Sequence, residues 1–147
     1  MTLPLDEATF SPGVHAADWR AAVRAAGVDL VTAGAVGRAY VDELVQQIEL
    51  SGPFCVVAPG VAVPHARASA VVRRDALAIV VLAEPVAFGH PHHDPVRVVI
   101  AMAAKSPRHH LQMLSALANA LDASGVTDAL IAATTREQAV AALSRAA

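Results

Sequence analysis

The sequence predicts an α/β fold: a mixed sheet of about four to five strands covered by helices on both faces. Two apolar runs, Ala76 to Ala83 and Val96 to Ala103, are typical of central strands that are buried on both faces. Segments with helically spaced apolar residues lie before and after these runs. Because helices precede and follow the strands, a layered arrangement buries the apolar surface of both.

Two helices are predicted in the first third of the chain. The segment from Asp18 to Ala33 carries apolar residues at helical spacing, and Gly34 is expected to end that helix. A second helix is predicted from Arg38 to Leu50, where apolar residues form adjoining stripes. The Ser51-Gly52-Pro53 sequence that follows contains strong helix breakers.

Short β-type runs come next, with loops between them and the central strands. Phe54 to Ala58 and Val61 to Val63 are expected to be strands joined by a Pro59-Gly60 turn. The Arg73-Arg74-Asp75 cluster is predicted to be an exposed turn before the first central strand. Glu84 to Pro95, with three prolines and a glycine, is predicted to be the loop between the central strands.

Three helices are predicted in the last third of the chain. Ser106-Pro107 has the residue types preferred at the cap and first position of a helix, which is expected to continue to about Ala123. Two shorter helices are predicted at Thr127 to Ala132 and Thr135 to Leu143. Gln138 follows Thr135 by three residues, the spacing of a capping box.

Composition limits the classes of protein that the chain can represent. Its 147 residues suit a single domain, residues 1–147, and the single Cys55 excludes an internal disulfide. A formal net charge of −2 does not favour a nucleic-acid binder. No apolar run approaches the roughly 20 residues of a membrane span, and the first residues lack a signal-peptide pattern. We therefore expect a soluble, cytoplasmic protein.

Three residues form the candidate site. His65 lies between a proline and a small residue, and an imidazole that is mostly uncharged at neutral pH can accept a phosphoryl group. Arg67 can clamp phosphate oxygens through its planar guanidinium. His110, in the first turns of the Ser106-capped helix, can donate a hydrogen bond to a phosphoryl oxygen. Solvated side chains without a chemical task are the alternative for each, and adjacent His109 shows that position alone does not identify the partner of His65.

Other chemistry is less well supported by the residues. Three imidazoles and a carboxylate, at His90, His92, His93 and Asp94, can ligate a metal, yet they lack the spacing of known zinc sites. We therefore assign neither a metal nor a cofactor to the chain. Cys55 lies in an apolar run and is expected to be in the core. The P-loop, GxGxxG and GxSxG patterns are absent.

Together these motifs resemble the enzyme IIA domain of the phosphoenolpyruvate-dependent sugar phosphotransferase system (PTS), in its fructose/mannitol superfamily. The resemblance covers roughly Ala39 to Ala123. Two motifs carry it: an apolar-Ala-apolar-Pro-His-small pattern at Val61 to Ala66, and a His-Leu-x-x-Leu-x-x-Leu-Ala pattern at His110 to Ala118. Ser51 to Gly60 and Asp94-Pro95-Val96 are similar to the ascorbate-type branch. Gln46-Gln47 replaces the Glu-Arg pair usual in the fructose and mannitol branches.

The resemblance implies a phosphocarrier mechanism and a set of partners. The small carrier protein HPr would phosphorylate His65, while His110 and Arg67 stabilise charge on the phosphoryl oxygens. The group would then pass to a cysteine of enzyme IIB, which phosphorylates the sugar leaving membrane-bound enzyme IIC. An apolar docking patch is expected at Val61, Val63 and Met113. The sugar, and whether the chain forms a homodimer, stay open.

Two alternatives belong to other classes. A regulatory phosphoacceptor would also use His65 but would signal by binding another protein, with no cognate enzyme IIB. A metal-binding protein would use the His90–Asp94 cluster and would lose its metal when His92 and His93 are replaced.

Overall fold

The computed structural model describes residues 3–146, in which five strands form one sheet covered by helices on both faces. The strands are β1 (Thr9–Val14), β2 (Val56–Ala58), β3 (Val61–Ala62), β4 (Ala76–Val86) and β5 (Val96–Ala103). The helices are α1 (Trp19–Thr32), α2 (Ala39–Ser51), α3 (Pro107–Asp122), α4 (Val126–Ala132) and α5 (Arg136–Ala146).

The sheet has the order β1-β4-β5-β3-β2 and mixes two kinds of pairing. β1 runs parallel to β4, and β3 runs parallel to β5. β4 pairs with β5, and β2 with β3, in the antiparallel sense. The predicted mixed sheet is therefore confirmed, with five strands.

The two central strands divide the core between two helical layers. In β4, Ala78 and Val80 pack in one cluster with residues of α1 and α2. Leu77 and Ile79 face the opposite side and pack with residues of α3, α4 and α5. Because successive side chains of a strand point to opposite faces, a run that is apolar at every position needs a cover on both sides.

The starts of α1 and α3 and the end of α1 lie where capping chemistry predicts them. The Asp18 side chain accepts a hydrogen bond from the amide of Ala21 at 2.9 Å and begins α1. Gly34 follows the end of α1 with a φ of 76°, a conformation in which glycine avoids a side-chain clash. Ser106 caps α3 by accepting from the amide of His109 at 3.1 Å, and Pro107 is the first helical residue.

One strand was not predicted, and two predicted boundaries need correction. The pattern gave no sign of β1, whose Pro12 and Gly13 are tolerated because β1 is an edge strand. The predicted Glu84–Pro95 loop begins only after Val86, since β4 continues past Pro85 through a shift of register between Val81 and Val86. The strand predicted from Phe54 begins instead at Val56.

The length and polarity of the helices decide whether one of them could cross a membrane. Within residues 3–146, none combines the length and the apolar character that crossing a bilayer requires.

Candidate active site

His65 lies where the chain leaves the interior strand β3. The carbonyl of Pro64 accepts a hydrogen bond from the amide of Met102 at 3.0 Å, and His65 itself forms a parallel bridge with Met102. The amide of Val63 donates to the carbonyl of Cys55 at 2.7 Å. The segment that carries His65 is therefore hydrogen-bonded to β5 and to the residue just before β2.

One ring nitrogen of His65 is already engaged. Its Nδ1 lies 2.7 Å from the carbonyl oxygen of Val63, which can only accept. Nδ1 therefore carries the proton, and in the neutral ring the lone pair is on Nε2. Since His65 is only half-buried, this nitrogen is the one left to act as a nucleophile.

A buried tyrosine holds the backbone directly after His65. The Tyr40 hydroxyl donates to the carbonyl of Met102 at 2.7 Å and accepts from the amide of Ala66 at 3.2 Å. Burial is the main reason that the pKa of Tyr40 is raised to about 12, so the hydroxyl stays protonated. Sequence reasoning missed this role. The available signal was the single tyrosine of the chain, because a buried hydroxyl needs a hydrogen-bond partner.

His110 meets His65 because of the strand pairing. The parallel strands β3 and β5 end at the same edge of the sheet, and α3 begins a few residues after β5. The imidazole rings of His65 and His110 lie 5.0 Å apart, centroid to centroid, at an angle of 68°. Partial burial, and then the proximity of His65, lower the pKa of His110 below its usual value. The structure thus brings His65 and His110 together, as the sequence predicted.

The neighbouring His109 points elsewhere. Its Nδ1 lies 2.8 Å from a carboxylate oxygen of Asp75, on the residue that precedes β4. Successive residues of a helix are about 100° apart around its axis, so His109 and His110 face different parts of the protein. The Arg73-Arg74-Asp75 cluster was predicted as an exposed turn, but this is wrong for Arg74 and Asp75. Both are only partly exposed, and Arg74 donates to the carbonyl of Ala33 at 2.9 Å.

Arg67 lies beside the histidine pair on the surface. Together with Ala68 it lines a shallow depression whose other wall is formed by Pro107 and His110. Within residues 3–146 the exposed Arg67 guanidinium makes no hydrogen bond or ion pair, so its donors are available. A second depression places Arg67 beside Gln46 and Gln47 of α2.

Large exposed apolar side chains surround this site. Leu50 is 85% exposed, Phe54 80% and Leu111 66%, although side chains of this size are usually covered. Phe54 lines a depression that also contains His65 and Leu114, and Leu111 directly follows His110.

The docking patch expected at Val61, Val63 and Met113 is wrong, since all three side chains have no exposed surface. β3 is an interior strand covered by helices, and Met113 points from α3 into the core. The exposed apolar surface instead comes from the end of α2, the segment that follows it and the outer face of α3.

Hydrogen bonds within the histidine-rich loop engage Asp94 and His90, whereas Nδ1 of His93 is buried without a hydrogen-bond partner. Asp94 accepts hydrogen bonds from the amides of Phe88 and Gly89, at 3.0 and 2.7 Å. Nδ1 of His90 accepts from the amides of His92 and His93, both at 3.1 Å. Among the described residues no three His, Cys, Asp or Glu side chains converge as a metal site. These bonds give the loop a structural explanation that does not need a metal.

Cys55 is in the core, as predicted, and is only 6% exposed. Burial is the main cause that raises the pKa of its thiol to about 12. Although Cys55 lines the same depression as His65, it stays a protonated thiol at neutral pH and is a poor nucleophile.

Comparison with known proteins identifies the family to which the chain belongs. The family model for the phosphoenolpyruvate-dependent sugar phosphotransferase system, EIIA 2, matches residues 4–146. The chain belongs to this family. Members of the EIIA family are phosphotransferase components, and the predicted resemblance is confirmed.

Individual relatives agree with this assignment. The ascorbate-specific PTS system EIIA component of Shigella boydii is 38% identical over 100 residues, which are 67% of this chain and 64% of that protein. The EIIA chain therefore matches less than two thirds of the length of that relative.

Solved structures extend the likeness over almost the whole chain. The crystal structure of IIA mannitol from Escherichia coli has a TM-score of 0.81 and 30% identity, over 97% of this chain and 99% of that one. The IIAMTL complex with phosphorylated IIBMTL, from the same organism, gives a TM-score of 0.80 and 29% identity, over 93% and 94% of the two chains.

Proposed function

We propose that this EIIA chain is a phosphocarrier that accepts a phosphoryl group on His65 and passes it to an enzyme IIB. The observation that carries the proposal is the half-buried His65 ring, oriented through Nδ1 and placed 5.0 Å from the ring of His110. Family membership supports the reaction class, and the geometry supports this residue as the acceptor.

The acceptor atom is Nε2 of His65. The hydrogen bond from Nδ1 to the Val63 carbonyl leaves the lone pair on Nε2, which attacks phosphorus while the bond from phosphorus to the donor nitrogen breaks. In the second step a cysteine thiolate of enzyme IIB attacks, and the bond between phosphorus and Nε2 breaks. No proton needs to leave Nδ1 in either step, so the same tautomer serves both directions.

His110 and Arg67 stabilise the charge that spreads over the phosphoryl oxygens. Both line the depression beside the acceptor, and each has donors able to reach an anion. The lowered pKa keeps His110 neutral before transfer, and approach of a phosphoryl dianion favours its protonated form. The attraction between His110 and the phosphoryl oxygens is therefore strongest when the phosphoryl group is present and His110 is protonated.

The exposed apolar side chains suit transient binding of proteins. Leu50, Phe54 and Leu111 surround the histidine pair with surface that a partner can cover. Phospho-HPr is the proposed donor, and enzyme IIB, associated with membrane enzyme IIC, is the proposed acceptor. The solved complex of IIAMTL with phosphorylated IIBMTL supports enzyme IIB as a partner. With these partners, the proposed place of action is the cytoplasm.

Ascorbate is the proposed sugar. The 38% identical relative from Shigella boydii is named ascorbate-specific, and Gln46-Gln47 departs from the pattern expected for fructose and mannitol. Because the EIIA chain carries only the phosphoryl group, its choice of enzyme IIB determines which sugar it serves.

The test follows phosphoryl transfer from phosphoenolpyruvate through enzyme I and HPr by intact mass. We expect the parent protein to gain one acid-labile phosphoryl group and His65→Ala to gain none, with unchanged circular dichroism. His92→Ala is the matched control, because it removes an exposed histidine outside the site and should leave acceptance intact. His110→Ala should accept the group more slowly. Equal acceptance by His65→Ala and the parent would overturn the assignment.

A second stage distinguishes the carrier from the regulatory alternative. Phosphorylated protein is mixed with ascorbate-type or mannitol-type enzyme IIB, and the mass of each partner is measured. Transfer to the ascorbate-type partner supports the proposed sugar, and transfer to the mannitol-type partner alone contradicts it. A stable phosphohistidine that no enzyme IIB discharges would instead favour the regulatory phosphoacceptor.

A further inference from the structure

A single carboxylate joins the start of β4 to the start of α3. One oxygen of Asp75 accepts a hydrogen bond from the amide of Lys105 at 2.8 Å, and the other lies 2.8 Å from Nδ1 of His109. The register explains this contact: Ala76 pairs with Ala103, so Asp75 lies opposite the segment that leads from β5 into α3.

The contact differs from an ion pair between two exposed side chains, because Asp75 is mostly covered by the protein. The Asp75 side chain is 18% exposed; one oxygen accepts the hydrogen bond from Lys105, and the other lies within ion-pair distance of His109 Nδ1 without the geometry of a hydrogen bond. His109 is also held through its backbone, because its amide donates to the hydroxyl of the capping Ser106. The first turn of α3 is thus held by a backbone cap and by a side chain from another element.

This turn also carries His110. The His110 amide makes the first helical bond, to the carbonyl of Ser106 at 2.9 Å. Since His109 and His110 are consecutive in one helix, holding the His109 ring against Asp75 sets the direction in which His110 leaves the helix. That direction leads to the ring of His65.

We propose that Asp75 is a positioning residue for phosphoryl transfer, which acts through His109 and Lys105 to hold His110 against His65. Asp75 touches neither ring of the pair and does not take part in the chemistry. The proposal rests on the proposed function for its kinetic consequence, but the geometry that it predicts can be measured without any transfer. Small errors in the placement of a group at a reacting centre cost large factors in rate.

The kinetic test measures the rate of phosphorylation by phospho-HPr in two backgrounds. We expect Asp75→Ala to slow the parent about tenfold. In a His110→Ala background we expect the same change to have almost no further effect, because the group that Asp75 positions is gone. Asp122→Ala is the matched control, since it removes an exposed aspartate from the other end of α3 and should leave the rate unchanged.

A merely structural role predicts a different result. Loss of folding stability would slow transfer equally with and without His110, and that outcome would overturn the proposal, as would an unchanged rate for Asp75→Ala. If Asp75→Ala fails to fold, His109→Ala removes the His109 contact at a half-exposed residue while the bond from Lys105 to Asp75 stays, and it should slow transfer in the same direction only when His110 is present.

A second readout separates this proposal from the proposed function. In unphosphorylated protein we expect Asp75→Ala to shift the imidazole NMR signals of His110 and to weaken the nuclear Overhauser effect between the His65 and His110 rings. Unchanged signals would refute the positioning role even if His65 is phosphorylated. Absence of phosphate on His65 in the parent would instead refute the proposed function, and the NMR result would still decide the role of Asp75.

Discussion

Phosphorylation of His65 should raise the pKa of His110. In the free protein, partial burial and the nearby His65 ring hold this pKa below its usual value. A phosphoryl group on Nε2 of His65 places negative charge beside the same imidazole, which favours the protonated form.

The magnitude follows from the separation of the two rings. If the phosphoryl charge is taken to act over the 5.0 Å that separates the two ring centroids, one unit charge contributes about 3 kcal/mol at an effective dielectric constant of about 20, or about two pKa units. His110 is only half-buried, so water screens part of this interaction. We therefore expect phosphorylation of His65 to raise the pKa of His110 by about one to two units.

The assay is an NMR titration of the histidine rings, carried out from acid to alkaline pH for the free protein and from neutral to alkaline pH, where phosphohistidine survives, for the phosphorylated protein. Exposed His15, which precedes α1, is the internal control, and at each pH its NMR signals should be the same in the free and phosphorylated proteins. An unchanged or lowered pKa of His110 would refute the argument, because it would mean that the phosphoryl group does not face this ring.

Three further changes test the scaffold of the site. Tyr40→Phe leaves two buried backbone groups without their hydrogen-bond partner. We therefore expect the free energy of unfolding, measured in urea, to fall by about 2 kcal/mol and phosphorylation to be slower. Unchanged stability together with an unchanged rate would contradict the anchoring role. Leu117→Ala opens a cavity at a fully buried position and should lower the free energy of unfolding by about 3 kcal/mol. Leu111→Ala, at an exposed position of the same helix, should lower it by less than about 0.5 kcal/mol. Equal losses would contradict the assigned packing of α3. Gly60→Ala forces a side chain into a φ of 76° and should lower the unfolding free energy by about 1 kcal/mol, a loss that would be absent if the turn relaxes freely.

Local pattern was enough for most of the secondary structure. The Val96–Ala103 run and the Ser106-Pro107 start of α3 were predicted at the residues where they occur, because burial on both faces and capping leave direct marks on residue type. β1 was missed since its pairing with β4 is a long-range contact, and the continuation of β4 past Pro85 depends on a change of register. Neither the pairing of β1 with β4 nor the change of register can be predicted from the residues next to it in the sequence.

The sequence by itself determined which residues could carry the chemistry: a rigid Pro64-His65 segment, an arginine two positions on, and histidines at the start of a helix. Only the tertiary structure decided that β3 and β5 run parallel, which brings His65 and α3 to one edge of the sheet. Helical phase and the Asp75 contact then separated His109 from His110. Residue type limits what a group can do, but which groups meet depends on strand pairing, and pairing is settled by packing over the whole core.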